Sequence, residues 1–114
     1  MERVYDMDKR PDGAVFLVDG LWPRGVKKDR LGLTGWLRDL APSAELRTWF
    51  GHDPARWEEF RRRYRKELDA RPDALKPILD AAREGAVTLV YGARDTEHNN
   101  AIVLRDYVDE RLGT

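Results

Sequence analysis

Two unbroken apolar runs most narrowly limit what this chain can fold into. They are Ala14-Val15-Phe16-Leu17-Val18 and Ala86-Val87-Thr88-Leu89-Val90-Tyr91. A strand with one wet face alternates apolar and polar side chains. A run without that alternation reads as a strand covered on both faces, as in a parallel sheet. The stretch between the runs is patterned mainly for helix, and parallel strands need such a crossover connection. The expected class is therefore α/β: a small, mostly parallel three- or four-stranded sheet covered by about five helices, tending toward three α/β/α layers. The 114 residues are expected to form a single domain, 1–114.

The remaining elements follow from spacing and punctuation. Val4-Tyr5 reads as a short edge strand, and residues 20–30 as a loop. Leu33, Trp36, Leu37 and Leu40 recur at helical intervals, which predicts a helix capped by Thr34. Ser43 is positioned to cap a helix carrying Leu46, Trp49 and Phe50, stopped by Gly51. Asp53-Pro54 opens another, with Trp57, Phe60, Tyr64 and Leu68 as its buried stripe. Asp73 can cap a helix that buries Leu75, Ile78, Leu79 and Ala82 and ends at Gly85. A last helix is expected over about 97–112, burying Ala101, Leu104, Val108 and Leu112.

Composition removes several function classes. With no cysteine, a disulfide framework, a thiolate metal site and a thiol nucleophile are all excluded. The 21 basic side chains balance 21 acidic ones, which does not favour nucleic acid as a partner. No apolar run approaches a membrane span, and the first twenty residues lack a signal-peptide core, so a cytoplasmic protein is expected. The run Arg61-Arg62-Arg63-Tyr64-Arg65-Lys66 resembles a nucleic-acid patch. Glu58 and Glu59 stand four residues before Arg62 and Arg63, so a self-paired, solvated helix face explains it more simply. A mixed metal set of His52, Asp53, Asp95 and His98 is weakened because two members sit at helix-cap positions, so no metal is assigned. No cofactor can be named.

In open α/β sheets, ligands sit beyond the carboxyl ends of the strands. The loop after the first run holds Asp19, Trp22, Arg24, Gly25, Lys27 and Lys28. It offers a stacking face, a planar guanidinium suited to phosphate or carboxylate, and glycines that permit close backbone approach. The loop after the second run holds Gly92, Arg94, Asp95, His98, Asn99 and Asn100 before a helix start, where free N–H groups favour anions. His52, in Gly51-His52-Asp53-Pro54, adds a group that titrates near neutrality. Each residue also has a plain structural reading: Trp22 as a cover for the sheet end, Lys27 as surface, and Asp53 and Asp95 as caps.

Three segments together carry a resemblance. They are Val18-Asp19-Gly20-Leu21-Trp22-Pro23-Arg24-Gly25; then Asp39-Leu40-Ala41-Pro42-Ser43 with Leu46-Arg47 and Trp49-Phe50-Gly51-His52-Asp53-Pro54; then Val87 to Asp95 with His98-Asn99-Asn100-Ala101. In order and spacing the chain resembles the YeaO-like bacterial family, labelled as domain of unknown function 488. The resemblance implies a small cytoplasmic α/β protein and supplies no reaction. Relatives usually carry Arg where this chain has Gly20, so a cation is lost here if that Arg contacts a ligand in them. Longer relatives carry a cysteine near the final loop, whose chemistry this chain cannot share.

The expected function is binding of a small anion or nucleotide phosphate at the carboxyl edge of the sheet. Arg24 and the His98–Asn100 helix start would hold it, and Trp22 would close over it. His52 or His98 would be the proton carrier, with Asp95 orienting it, should catalysis occur there. Two rivals differ in kind: a non-catalytic module for a protein or nucleic-acid partner, and a hydrolase or transferase acting on a nucleic-acid component. The leading reading requires the two loops to open onto a common rim.

Overall fold

The computed structural model describes residues 1–113. Four strands form one all-parallel sheet: β1 (Glu2–Arg3), β2 (Ala14–Leu17), β3 (Gly35–Trp36) and β4 (Val87–Tyr91), in spatial order β1-β4-β2-β3. Five α-helices accompany them: α1 (Lys28–Leu31), α2 (Ala44–Phe50), α3 (Trp57–Asp69), α4 (Lys76–Glu84) and α5 (Asn100–Leu112). The expected α/β class is the observed one.

Both apolar runs pack on both sides over Val15–Val18 and Leu89–Tyr91, while Ala86 is exposed and Val87 and Thr88 are half-buried; the two sides are covered unequally. Phe16 and Val18 of the first run, with Leu89 and Tyr91 of β4, face a large core with Leu46, Phe50, Phe60, Tyr64, Ile78 and Leu104 from the long helices. Val15, Leu17 and Val90 alternate onto the opposite side and meet Val4, Val26 and Leu31, with Trp22, Leu33 and Trp36 packed around them. A pleat that alternates faces with period two thus serves two separate clusters. One is built by helices, the other mostly by the 20–34 segment.

The expected helix over residues 33–40 does not form. Thr34 N–H donates to the Val15 carbonyl at 2.7 Å, and Leu37 N–H to that of Leu17 at 2.8 Å. The Thr34 hydroxyl accepts Val15 N–H instead of capping a helix. The open edge of β2 offered these backbone groups partners, and pairing with it outweighed the helical spacing. Only a 3₁₀ turn at Arg38–Leu40 remains. The N-terminal strand is Glu2–Arg3, and Val4 and Tyr5 belong to a 3₁₀ turn. Residues 28–30, expected as the end of a loop, form one short helix with Leu31.

Capping decides the other boundaries. The Ser43 hydroxyl accepts Leu46 N–H, and Gly51 ends α2 in the left-handed region at φ 53°. Asp53 accepts Ala55 N–H and starts the 3₁₀ turn that runs into α3. Asp73 lies inside a 3₁₀ turn at Pro72–Leu75 and caps nothing. The last helix begins at Asn100, about three residues later than its periodicity suggests, because Asn99 is its cap. Its expected core residue Leu112 is 40% exposed, since the helix runs past the edge of the packed layer. On α3, Arg62 and Arg63 both pair with Glu59, while Glu58 pairs with Arg61 rather than Arg62.

Candidate functional site

The site begins where the first apolar run stops. Asp19 is the first charged side chain after the run Ala14–Val18, and Val18 N–H still donates to Val90 in β4. The Asp19 carboxylate therefore stays at the sheet end. One oxygen accepts Gly92 N–H at 2.8 Å, the other the Asn100 side-chain amide at 3.1 Å. The same Asn100 amide reaches the Val18 carbonyl at 3.1 Å. These three bonds tie the ends of β2 and β4 to the start of α5. A Cβ at Gly92 would come within 3.3 Å of the Asp19 oxygen, so the glycine makes room for this bond. Burial pushes the Asp19 carboxyl above its usual range, against the opposing pull of Gly92, Asn100, Arg47 and His52.

Beside Asp19 lies a half-enclosed cavity of about 310 Å³, near the lower end of small-ligand sites. Its polar lining includes Asp19, Arg47, His52, Asn99 and Asn100, and Phe50 and Phe60 give it apolar wall. The two rings stack with centroids 4.3 Å apart. Arg47 projects from α2, and its guanidinium lies so close to Gly20 that a Cβ there would meet Nη1 at 3.2 Å. Its Nε is buried and has no hydrogen-bond partner. No ion pair joins Arg47 to Asp19 among the described residues.

The rim is held in an unusual backbone conformation. His52 follows the left-handed Gly51 with φ 56° of its own, the sole non-glycine with positive φ among the described residues. Such a conformation costs a side-chain-bearing residue about 1–2 kcal/mol. Asp53 holds it from one side through its cap, and the His52 ring lies 6.0 Å from Phe50 on the other.

Asp19, His52, Gly92, Asn99 and Asn100, all singled out from sequence, come together around this cavity. Asn99 is nearly fully buried; it donates to the Asp95 carbonyl and accepts Ile102 N–H. Asp95 and His98 lie outside the lining. Asp95 accepts the N–H groups of Glu97 and His98, and its second oxygen meets His98 Nδ1 at 3.0 Å. Those N–H groups, Glu97 first, and the imidazole hold the Asp95 carboxyl below its usual range. The His98 ring packs edge-on against Trp57. Among the described residues, no three His, Asp or Glu side chains form a metal-binding group.

The first loop meets this cavity through Asp19, Gly20 and Leu21, while its distal residues turn away. Trp22 donates to the Val26 carbonyl at 2.7 Å and packs edge-on against Trp36 in the smaller core. Arg24 is exposed, and its carbonyl accepts the Tyr5 hydroxyl. Gly25 has φ 80°, which only glycine adopts without strain. Lys27 and Arg94 are exposed. Sequence reading missed Arg47 as a lining residue. The available signal was its place three residues before Phe50, one step off the buried Leu46–Phe50 stripe of α2.

The model of a protein family described as the inactive DUF488-N3 subclade matches residues 1–114. Uncharacterized protein YeaO of Escherichia coli K12 is 40% identical over 107 residues, which make up 94% of this chain and 93% of that protein. Uncharacterized protein Rv3073c of Mycobacterium tuberculosis H37Rv is 38% identical over 109 residues, 96% of this chain and 92% of that one. No solved structure matches the chain.

Proposed function

The chain belongs to the family described as the inactive DUF488-N3 subclade, and from that premise we propose that it binds a small anionic ligand at the carboxyl end of its sheet without turning it over. One observation carries this reading: Arg47 lines the cavity, and among the described residues its guanidinium makes neither a hydrogen bond nor an ion pair. A buried donor left unpaired costs about 1–3 kcal/mol, and a guanidinium is well shaped to bind carboxylate or phosphate. A ligand anion would meet both needs at once. Arg47 thus takes the part that the sequence assigned to Arg24.

The word inactive in the family's description fits the neighbouring groups. Both Asp19 oxygens already hold structural N–H groups. Asp95 and His98 hold each other and shape the turn before Asn99. In this reading the histidine-asparagine segment builds the wall of a binding pocket, and His52 closes its rim.

The test is a thermal-melt panel of inorganic phosphate, short carboxylates and nucleoside monophosphates on wild type and Arg47→Met. At least one anion should raise the wild-type Tm in a concentration-dependent way, with the response lost in the variant. Equal responses in both proteins, or none in either, would remove the reading.

A further inference from the structure

The cavity wall pairs two opposite demands. Arg47 brings to the lining a guanidinium with no hydrogen bond or ion pair among the described residues. In the same lining, Asp19 has a carboxylate that has accepted two hydrogen bonds, one per oxygen, of the roughly four such a group can take. The Asn100 side chain spends its amide on Val18 and Asp19, and no described contact engages its carbonyl oxygen. The two charges attract without closing into an ion pair among the described residues. A bare anion would satisfy Arg47 but would sit close to the Asp19 carboxylate, and like charges at that range repel.

We propose, building on the anion-binding reading above, that the ligand is a small zwitterion: its acidic group lies on Arg47 and a cationic nitrogen a few bonds away lies against Asp19 and the Asn100 carbonyl. Arg47 and Asp19 then each gain an opposite charge, and the cavity stays neutral when filled. The apolar part of the ligand rests on Phe50 and Phe60. An α-amino acid with an apolar side chain is the carboxylate form of this chemistry, and an aminoalkyl phosphate is the phosphate form. The stacked rings and the roughly 310 Å³ volume suit a molecule of that size.

Calorimetric titration of the full chain decides the matter with four probes: L-phenylalanine, its desamino counterpart 3-phenylpropionate, 2-aminoethyl phosphate and its desamino counterpart ethyl phosphate. On the wild type, a zwitterionic probe should bind at least about tenfold tighter than its partner lacking the amine, the worth of one charge-assisted hydrogen bond. The carboxylate and phosphate pairs identify which acid the site takes. In Asp19→Asn that advantage should vanish while the weaker anion affinity persists, and in Arg47→Met all binding should be lost. Equal affinity of amine-bearing and amine-free probes on the wild type, which needs no variant to fold, overturns this inference and leaves anion binding standing. Absence of Arg47-dependent binding by any probe overturns both.

Discussion

Arg47 buries an N–H that nothing among the described residues satisfies, and Asp19 buries a carboxylate, so two residues at the sheet end carry opposite costs. If the Nε is destabilising in the free protein, an apolar side chain of similar length should relieve it. In the Asp19→Asn background, where no buried carboxylate loses its countercharge, Arg47→Met is expected to raise unfolding stability by about 1 kcal/mol in denaturant melts while removing the anion response. A loss of stability would show that the guanidinium is already satisfied. For Asp19 the sign follows from burial. Its folded carboxyl lies above the unfolded one, so ionisation works against the fold at neutral pH. As pH falls through the folded value toward the ordinary carboxylate range, that cost is relieved. The Tm of the wild type should therefore climb relative to Asp19→Asn over this interval. Parallel pH curves would contradict the burial argument. Asp19 was legible in sequence as the residue ending an apolar run. Arg47 was not, because its neighbours Gly20 and Phe50 reach it only through the fold.

At the scale of elements, α5 shows how one polar residue can set a boundary. Asn99 is almost fully buried, accepts Ile102 N–H at 3.1 Å and donates to the Asp95 carbonyl at 3.0 Å. Asn99→Ala is expected to cost about 1–2 kcal/mol, since it removes a cap and leaves Ile102 N–H and the half-buried Asp95 carbonyl without their partner. Chemical denaturation measures this directly, and a change near zero would deny Asn99 the capping role. Helices α2 and α3 were readable because Ser43, Gly51 and Asp53 act on backbone groups within three or four residues. The failed helix over residues 33–40 had equally good periodicity. Its backbone groups instead found Val15 and Leu17, about nineteen or twenty residues upstream, and spacing along the chain carries no trace of that competition.

The whole molecule rests on a sheet whose two faces are covered by different materials. The broad face has helices, while the narrow face depends on Val15, Leu17 and Val90 against the 20–34 segment. Leu17 is fully buried there. Leu17→Ala should cost about 3 kcal/mol, at the middle of the range for buried leucines, and should loosen the loop that carries Trp22 and Arg24. Near-neutral stability in a denaturant melt would mean that this second core is dispensable. The sheet's order, β1-β4-β2-β3, is also what brings the ends of the two apolar runs side by side and lets Asp19 reach Gly92.

By itself, the sequence determined the α/β class, the two strands covered on both faces, the helix starts at Ser43 and Asp53 and the loops beyond the strand ends. Those features depend on side-chain type and on hydrogen bonds between near neighbours in the chain. Only the tertiary structure decided that Arg47 rather than Arg24 lines the cavity, that His98 turns to Trp57, and that residues 33–37 pair with β2. These outcomes depend on which distant groups become neighbours once the sheet closes. Burial then fixes their energies, because an unpaired donor or carboxylate costs little in water and much beside a packed core.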